Sequence, residues 1–271
     1  MTGLAVRLYE AARLDEKQAA VLPLERRLVR RLARTWAAQH RKVAATLTTA
    51  LFEGAAGRLA EAMNPDDIER AADAVRADRA LVETLDAVLV EAAGRGARDS
   101  GAELGAKIAA AFALENPAAV QWLSERAATQ VAGIDDVTRG YVRTILTQAA
   151  DQGWSYQRTS RALRERFVGF SARSRLGHVR NRGELIAITE VGTAYEHAGT
   201  LVAAQLVDDG LVIEKAWLTA ADAKVCPVCA PAGSEGWISE ADSFTNGLAG
   251  PLGHPGCRCT TTRRAALTED E

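Results

Sequence analysis

The chain has 271 residues, 48% hydrophobic and 25% charged, which excludes a disordered polymer and leaves enough chain to bury a real core. Aromatic residues make up only 5%, so alanine, leucine and valine must do the packing, a bias that suits helices better than sheets. A formal net charge of −2 excludes a chain that attracts nucleic acid through its overall charge, so any such role needs a local patch.

The start, Met1 to Tyr9, has no long apolar core and no small-residue cleavage pattern, and no apolar run approaches membrane-spanning length. The expectation is a soluble chain made in the cytoplasm. From Leu4 to about Gly57 the pattern is helical, and Pro23 is expected to divide it, because proline removes a helical hydrogen bond. After Pro23, Leu24, Leu28, Leu32, Thr35 and Trp36 recur at helical spacing. Between them stand Arg26, Arg27, Arg30, Arg31, Arg34, Arg41 and Lys42, which gives an amphipathic helix with a basic face. Asn64-Pro65 is a helix start: Asn caps free N–H groups and Pro suits the first helical position. Asp66, Asp67 and Glu69 then oppose the positive end of the helix dipole.

That helix is expected to break at the cluster Gly94, Gly96, Asp99, Ser100, Gly101, with an alanine-rich helix following to about Leu114. Asn116-Pro117 repeats the start signal, and Val120, Leu123, Ala127, Val131 and Ile134 mark an apolar face. Asp135-Asp136 are expected to open a further helix that ends at Gly153, and Ser155 to cap one running through Phe167. Phe167 to Gly183 reads as a loop or broken helix, and Glu184 to about Val207 as a long helix. Asp208-Asp209-Gly210 is a turn. Beyond it, Val212, Glu214 and Ala216 alternate with Ile213, Lys215 and Trp217, the period of a strand, with Arg258 to Arg264 as the expected partner strand. The predicted class is mainly α: a multi-helix body followed by a small C-terminal β-hairpin zinc-binding module. The expected segments are residues 1–115, an N-terminal helical region; 116–210, a helical core; and 211–271, the hairpin.

All four cysteines fall in this last segment, in Cys226-Pro227-Val228-Cys229 and His254-Pro255-Gly256-Cys257-Arg258-Cys259. A C-x-x-C turn sets two thiolates on one side of a tight bend, the bite a tetrahedral zinc needs. His254 and Cys257 repeat the same gap and suggest a second knuckle, while Cys257 and Cys259 would share a face of a strand. The favoured set is Cys226, Cys229, His254 and Cys257, with Cys259 competing. The intervening stretch, rich in Gly and Pro, buries little surface, so a metal cross-link is a reasonable way to hold it. The competing readings are a disulfide, which the cytoplasm disfavours, and a redox pair, which lacks a βαβ setting. Enough thiolates are present to close the coordination sphere, which points to a structural rather than catalytic metal. A deaminase would need H-x-E upstream, yet Lys42, Arg180 and Gly199 follow His40, His178 and His197 at that spacing.

These residues resemble the phage Mu F-like head-morphogenesis family. The likeness runs through Trp217-Leu218-Thr219, Asp222, Val225-Cys226-x-x-Cys229, Gly233, Phe244, Pro251 and His254-Pro255-x-Cys257-Arg258-Cys259. Upstream it takes in Asn116-Pro117, Trp122-Leu123, Gly153-Trp154-Ser155 and Glu184 to Glu190, with Ile188 where the family usually has arginine. The resemblance implies a minor head (capsid) protein inside the virion, associated with the phage portal protein and other head proteins. It implies a part in head morphogenesis, with possible links to DNA packaging or ejection, and no small-molecule substrate. It also leaves the N-terminal helices free to specialise for portal contact.

Arg158, Arg161, Arg164, Arg166, Arg173, Arg175, Arg180 and Arg182 form a run opposed before Glu184 only by Glu165. Arg173, Arg175, Arg180 and Arg182 are the candidate phosphate contacts for non-specific DNA binding, against the commoner meaning of a solvated helix face. Glu190 and His197 share a helix face, but no Walker loop, G-x-S-x-G elbow or H-E-x-x-H is present, so no catalytic residue is expected. The alternatives are a zinc-stabilised nucleic-acid-binding protein and a toxin-related or hydrolytic enzyme. For the last, the short stretch from Cys259 to Glu271 is expected to hold no effector domain.

Overall fold

The structure is a computed structural model that describes residues 3–53, 64–75, 79–105, 117–171, 181–219 and 225–266. It is mainly helical with a small antiparallel sheet near the C-terminus, as the sequence predicts. The helices are α1 (Gly3–Glu53), α2 (Pro65–Asp73), α3 (Arg79–Glu103), α4 (Pro117–Asp151), α5 (Tyr156–Gly169), α6 (Arg182–Asp208) and the short α7 (Cys229–Ser234). The strands are β1 (Ile213–Leu218), β2 (Ile238–Ser239) and β3 (Thr260–Ala265), in the order β2-β1-β3. The chain divides into two units, each drawn from separated stretches. Unit 1 is Met1–Leu28, Leu85–Glu125 and Glu184–Glu271; unit 2 is Val29–Thr84 and Arg126–Gly183.

In unit 1, α1 contributes Val21, Leu24 and Leu28, and α3 contributes Leu85, Val88, Leu89, Ala92, Ala93 and Ala97, all buried. From α6 come Ala187, Val191, Ala194, Tyr195, Ala198, Val202 and Ala203. These faces are built of small residues, so the backbones approach closely. A Cβ on Gly96 would fall 2.0 Å from the Tyr195 carbonyl oxygen. The helix break expected at Gly94 to Gly101 is therefore corrected: α3 runs on to Glu103, and at Gly96 the room made for packing outweighs the poor helix propensity of glycine. Tyr195 also donates its hydroxyl to Asp99 at 2.6 Å, joining α6 to α3.

The division at Pro23 is also corrected, since α1 contains Pro23 and does not stop there. Pro23 is exposed, while Val21, Leu24 and Leu28 around it are buried. In the preceding turn the Arg95 guanidinium donates to the Ala20 carbonyl, an outside partner where proline disturbs the helical ladder.

Gly210, at φ +93, makes the turn out of α6, which glycine adopts without strain. β1 then pairs antiparallel with β3, Trp217 opposite Thr261 and Leu218 opposite Thr260, and with β2 through Glu214 opposite Ser239. A buried ion pair fixes the sheet to the helices. Lys17 of α1 donates to Glu196 of α6 at 2.7 Å and to the Cys259 carbonyl. Glu196 also accepts from the Thr260 hydroxyl at 2.6 Å and the Thr261 N–H at 3.1 Å.

In unit 2, Leu32, Trp36, Val43 and Leu47 of α1, Ala71 and Ala72 of α2, and Val131, Val142 and Leu146 of α4 are buried, with Phe167 and Phe170 at the end of α5. Asn64 caps α2 in a reciprocal capping box with Asp67, as its sequence predicts. Ser155 caps α5 by accepting from the Arg158 N–H. The helix start expected at Asp135-Asp136 is corrected: α4 is continuous there, and Asp135 is buried as acceptor of the Gln39 amide at 2.7 Å. The alanine-rich stretch to Leu114 and most of the segment from Phe167 to Gly183 lie outside the described residues.

Removing one partner of a hydrogen-bonded buried pair leaves the other charge without compensation. Lys17→Met is expected to destabilise the protein by about 3–5 kcal/mol in denaturant unfolding. Lys17→Met combined with Glu196→Leu should recover much of that loss. Equal stability of wild type and the single variant would show that the pair contributes nothing.

Candidate metal centre

Two tight turns of the same kind present the predicted ligands. In the first, the Cys229 N–H donates to the Cys226 carbonyl at 3.1 Å and the Ala230 N–H to the same oxygen at 3.0 Å, opening α7. In the second, the Cys257 N–H donates to the His254 carbonyl at 3.1 Å, with Gly256 at φ +76. The i to i+3 closure makes each x-x turn bring its two ligating side chains together. Cys259 follows at the entry to β3.

The five side chains gather as two overlapping groups that share Cys229: Cys226, Cys229 and His254, and Cys229, Cys257 and Cys259. Within each group the ligating atoms lie within 4.8 Å of one another. The Cys229 and Cys257 sulfurs are 3.8 Å apart. Two thiolates at tetrahedral angles around a zinc, each about 2.3 Å from it, sit at roughly that separation. None of the four cysteines is in a disulfide.

The surroundings form a small core. Trp217, Cys229, Ala232, Phe244, Cys257 and Cys259 are buried together, with Val225, Ile238, Leu248 and Leu252 packed on them. Trp217 meets Phe244 edge to face at 5.3 Å. Phe244 is held in its own turn, donating its N–H to Leu248 and accepting from Gly247. The second turn is tied to the helices, because the Gly256 N–H donates to the Thr189 hydroxyl of α6 at 2.9 Å.

The electrostatics fit a cation. A hydrogen bond from the Cys259 thiol, the largest of several influences, outweighs burial and holds the Cys257 thiol well below its ordinary value. Burial, with the neighbouring sulfurs, pushes Cys229 up to about 12, and the bond to Cys257, then burial, pushes Cys259 higher still. Burial pushes Cys226 up as well, but hydrogen bonds from Cys229 and Val228 outweigh it and leave the thiol below its ordinary value. Burial pulls His254 down, yet the Pro255 carbonyl and the nearby sulfurs of Cys257 and Cys226 raise it overall. Thiols this close repel one another as thiolates, and a bound cation is what lets several ionise together. Soft thiolates with one imidazole suit zinc and similar thiophilic ions. The Pro255 carbonyl can only accept, so at 2.9 Å it fixes the proton on His254 Nδ1 and leaves the Nε2 lone pair for a metal. The Trp217 indole N–H is buried without a hydrogen-bond partner, yet it acts on Cys259 to lower that thiol against the larger upward effects.

The other sequence candidates sit as follows. Arg173, Arg175, Arg180 and the motif residue Asp222 lie outside the described residues. Arg182 is half-buried in unit 2, donating to the Thr138 hydroxyl and the Ile134 carbonyl, each at 3.0 Å. Glu190 is buried, and His197 stacks on Trp122 at 4.0 Å. Thr189 carries a role that spacing did not reveal. Its place beside Glu190 in the resemblance was the available signal.

Residues 141–262 match the family model described as Phage Mu protein F like protein. The matched stretch runs from Tyr141 in α4 through α5, α6 and all five candidate ligands, which is the resemblance read from the sequence. It covers a little under half of the chain and suggests a protein of bacteriophage head morphogenesis, a component of the virion that meets other head proteins. No curated protein and no solved structure matches the chain significantly. Among the described residues no helix is long and apolar enough to cross a membrane.

Protein purified without added metal is expected to contain about one metal ion per chain by elemental analysis, since a closed thiolate site holds its ion tightly. Cys229→Ser removes the ligand shared by both groups. It should abolish the metal and shift the emission of Trp217, measured in a variant that keeps only that tryptophan. A folded C-terminal region without metal would overturn this.

Proposed function

We propose that the chain is a minor head protein of a bacteriophage, internal to the virion and next to the portal, whose zinc is structural and which catalyses no reaction. The single observation that carries this is the coincidence of the Mu F-like match with a thiolate centre built into the helical body through Thr189 and Lys17. Cys226, Cys229, His254 and Cys257 are the proposed zinc ligands. Cys259 stands behind them, its thiol donating to Cys257. Zinc supplies a cross-link there, and every other contact belongs to the chain: Trp217 and Phe244 exclude water, and Gly256 and Cys259 dock the turns on α6 and α1. A structural role is favoured over an enzymatic one because Glu190 and His197, weighed as a catalytic pair, are a buried carboxylate and a stacked ring.

The test is mass spectrometry of purified phage heads with the portal isolated. The chain is expected in mature heads and cross-linked to portal protein, and its absence from both would overturn the reading. For the portal surface we propose α1, where Arg30, Arg34 and Arg41 are exposed. Reversing these three to Glu in the full chain should slow portal association about tenfold at low salt, by loss of steering. An unchanged rate would move the docking surface off α1.

A second reading, non-specific contact with packaged DNA, is favoured by the arginine run. Changing Arg173, Arg175 and Arg180 to Gln should flatten the salt dependence of duplex binding, because fewer counterions are released. An unchanged slope would return the run to a solvated surface.

A further inference from the structure

Unit 2 contains a cavity of about 740 Å³, walled by α4, α5 and the first residue of α6. That size lies within the roughly 300–1,000 Å³ range of ligand pockets. Its floor is an alternation of cations and rings. The Arg166 guanidinium lies over Tyr141 at 3.7 Å, Tyr141 meets Phe170 at 5.6 Å, and the Arg182 guanidinium lies 4.8 Å from Phe170. Stacking uses the faces of the guanidinium groups; the edge of Arg166 is left to a ligand, and Arg182, which gives one N–H from each terminal nitrogen to Thr138 and Ile134, keeps its further N–H donors.

The charge balance is unusual. Arg182 is half-buried, and its hydrogen bonds go to a hydroxyl and a peptide carbonyl, both neutral. Among the described residues neither Arg166 nor Arg182 makes an ion pair. Two carboxylates act nearby. Glu165 is on the wall and exposed. Asp135 is felt by Arg182 at a distance but gives an oxygen to Gln39. A half-buried cation without a paired anion is costly, and a second cation beside it raises that cost. Burial, followed by the opposing influences of Tyr141 and Arg166, leaves the Arg182 pKa below its ordinary value. An anion in the cavity would relieve both terms.

We propose that this cavity binds a phosphate oxyanion through the edges of Arg166 and Arg182. Phosphate is the class favoured because it is tetrahedral and multiply charged, and so can accept from two guanidinium groups at once. The cavity is larger than one phosphate fills. Tyr141 and Phe170 give the remaining space aromatic walls, which suits a nucleotide unit as well as a free phosphate.

The full chain, labelled with nitrogen-15, is titrated with inorganic phosphate while the arginine Nε resonances are observed. Arg166 and Arg182 are expected to shift saturably. Arg166→Gln should weaken binding about tenfold, the loss of a charged hydrogen bond. Thr144→Glu places a carboxylate on the wall and keeps both arginines, and it should abolish the shifts while the circular dichroism stays helical. A short oligothymidylate that displaces phosphate and shifts the same resonances identifies the source as nucleic acid. Phosphate binding that the oligonucleotide leaves untouched identifies a free oxyanion. Non-saturating shifts, or equal affinity in wild type and both variants, would overturn the site. That failure is separate from the head-protein reading, which the composition of purified heads decides.

Discussion

The interaction on which unit 1 depends is the buried pair of Lys17 and Glu196. Both side chains are almost wholly out of water, at 6% and 5% exposure, so each would be destabilising alone. The pair is tolerable because it is saturated. Lys17 also reaches the Cys259 carbonyl, and Glu196 also accepts from Thr260 and Thr261. One charge pair thereby holds three pieces of chain: the first half of α1, the middle of α6, and the point where the metal turn becomes β3. Shifting β3 by one residue would turn Thr260 away from Glu196 and leave a carboxylate under-bonded, so the pair specifies the register as well as the attachment.

That clamp changes what a metal would do here. Cys259 lies between two influences, its carbonyl held by Lys17 and its sulfur set against Cys257. The other turn end is held by Thr189 through Gly256. The cysteine turns are therefore positioned from outside by α1 and α6, which helps to draw the ligating atoms together. Residues tied to helices at both turns lose less conformational entropy in the cross-linked state than a free loop would. The Mu F-like match begins well upstream of the cysteines, at residue 141, and includes Thr189 and Glu196. The helix that docks the turns is thus part of the same matched segment as the turns themselves.

What could be read from the sequence was what local chemistry decides. Ser155 and Asn64 cap their helices because an oxygen at that position satisfies free N–H groups wherever the helix later packs. The two x-x turns and the strands that flank them follow from spacing. What could not be read was decided by partners distant in the chain. Pro23 and the glycines from Gly94 to Gly101 resemble breaks, yet Arg95 supports the first and close packing against Tyr195 needs Gly96 among the second. Asp135 resembles a helix start because a buried amide partner, Gln39, lies far away in sequence. β2 is two residues long and has no periodicity to show. In the site, the cysteines were legible by their clustering, whereas Thr189 is one threonine among many until the fold brings Gly256 against it.

Arg182 shows the same limit from the opposite direction. In the sequence it is the last of a run of arginines and counts as one more positive charge. In the fold it is separated from that description by its geometry: stacked on Phe170, hydrogen-bonded to neutral acceptors, and facing a cavity with Arg166. Comparison with Lys17 makes the difference physical. Lys17 is buried more deeply, and the chain supplies its carboxylate, so it is complete as a structural element. Arg182 is buried less, and the chain supplies no paired carboxylate among the described residues. A fold selected only for stability has the simple remedy of an acid at the cavity wall. In unit 1 the acid pairs with its cation, whereas in unit 2 the acid on the wall, Glu165, is exposed and forms no ion pair with Arg182 among the described residues, which fits a charge left for something that comes from outside the chain.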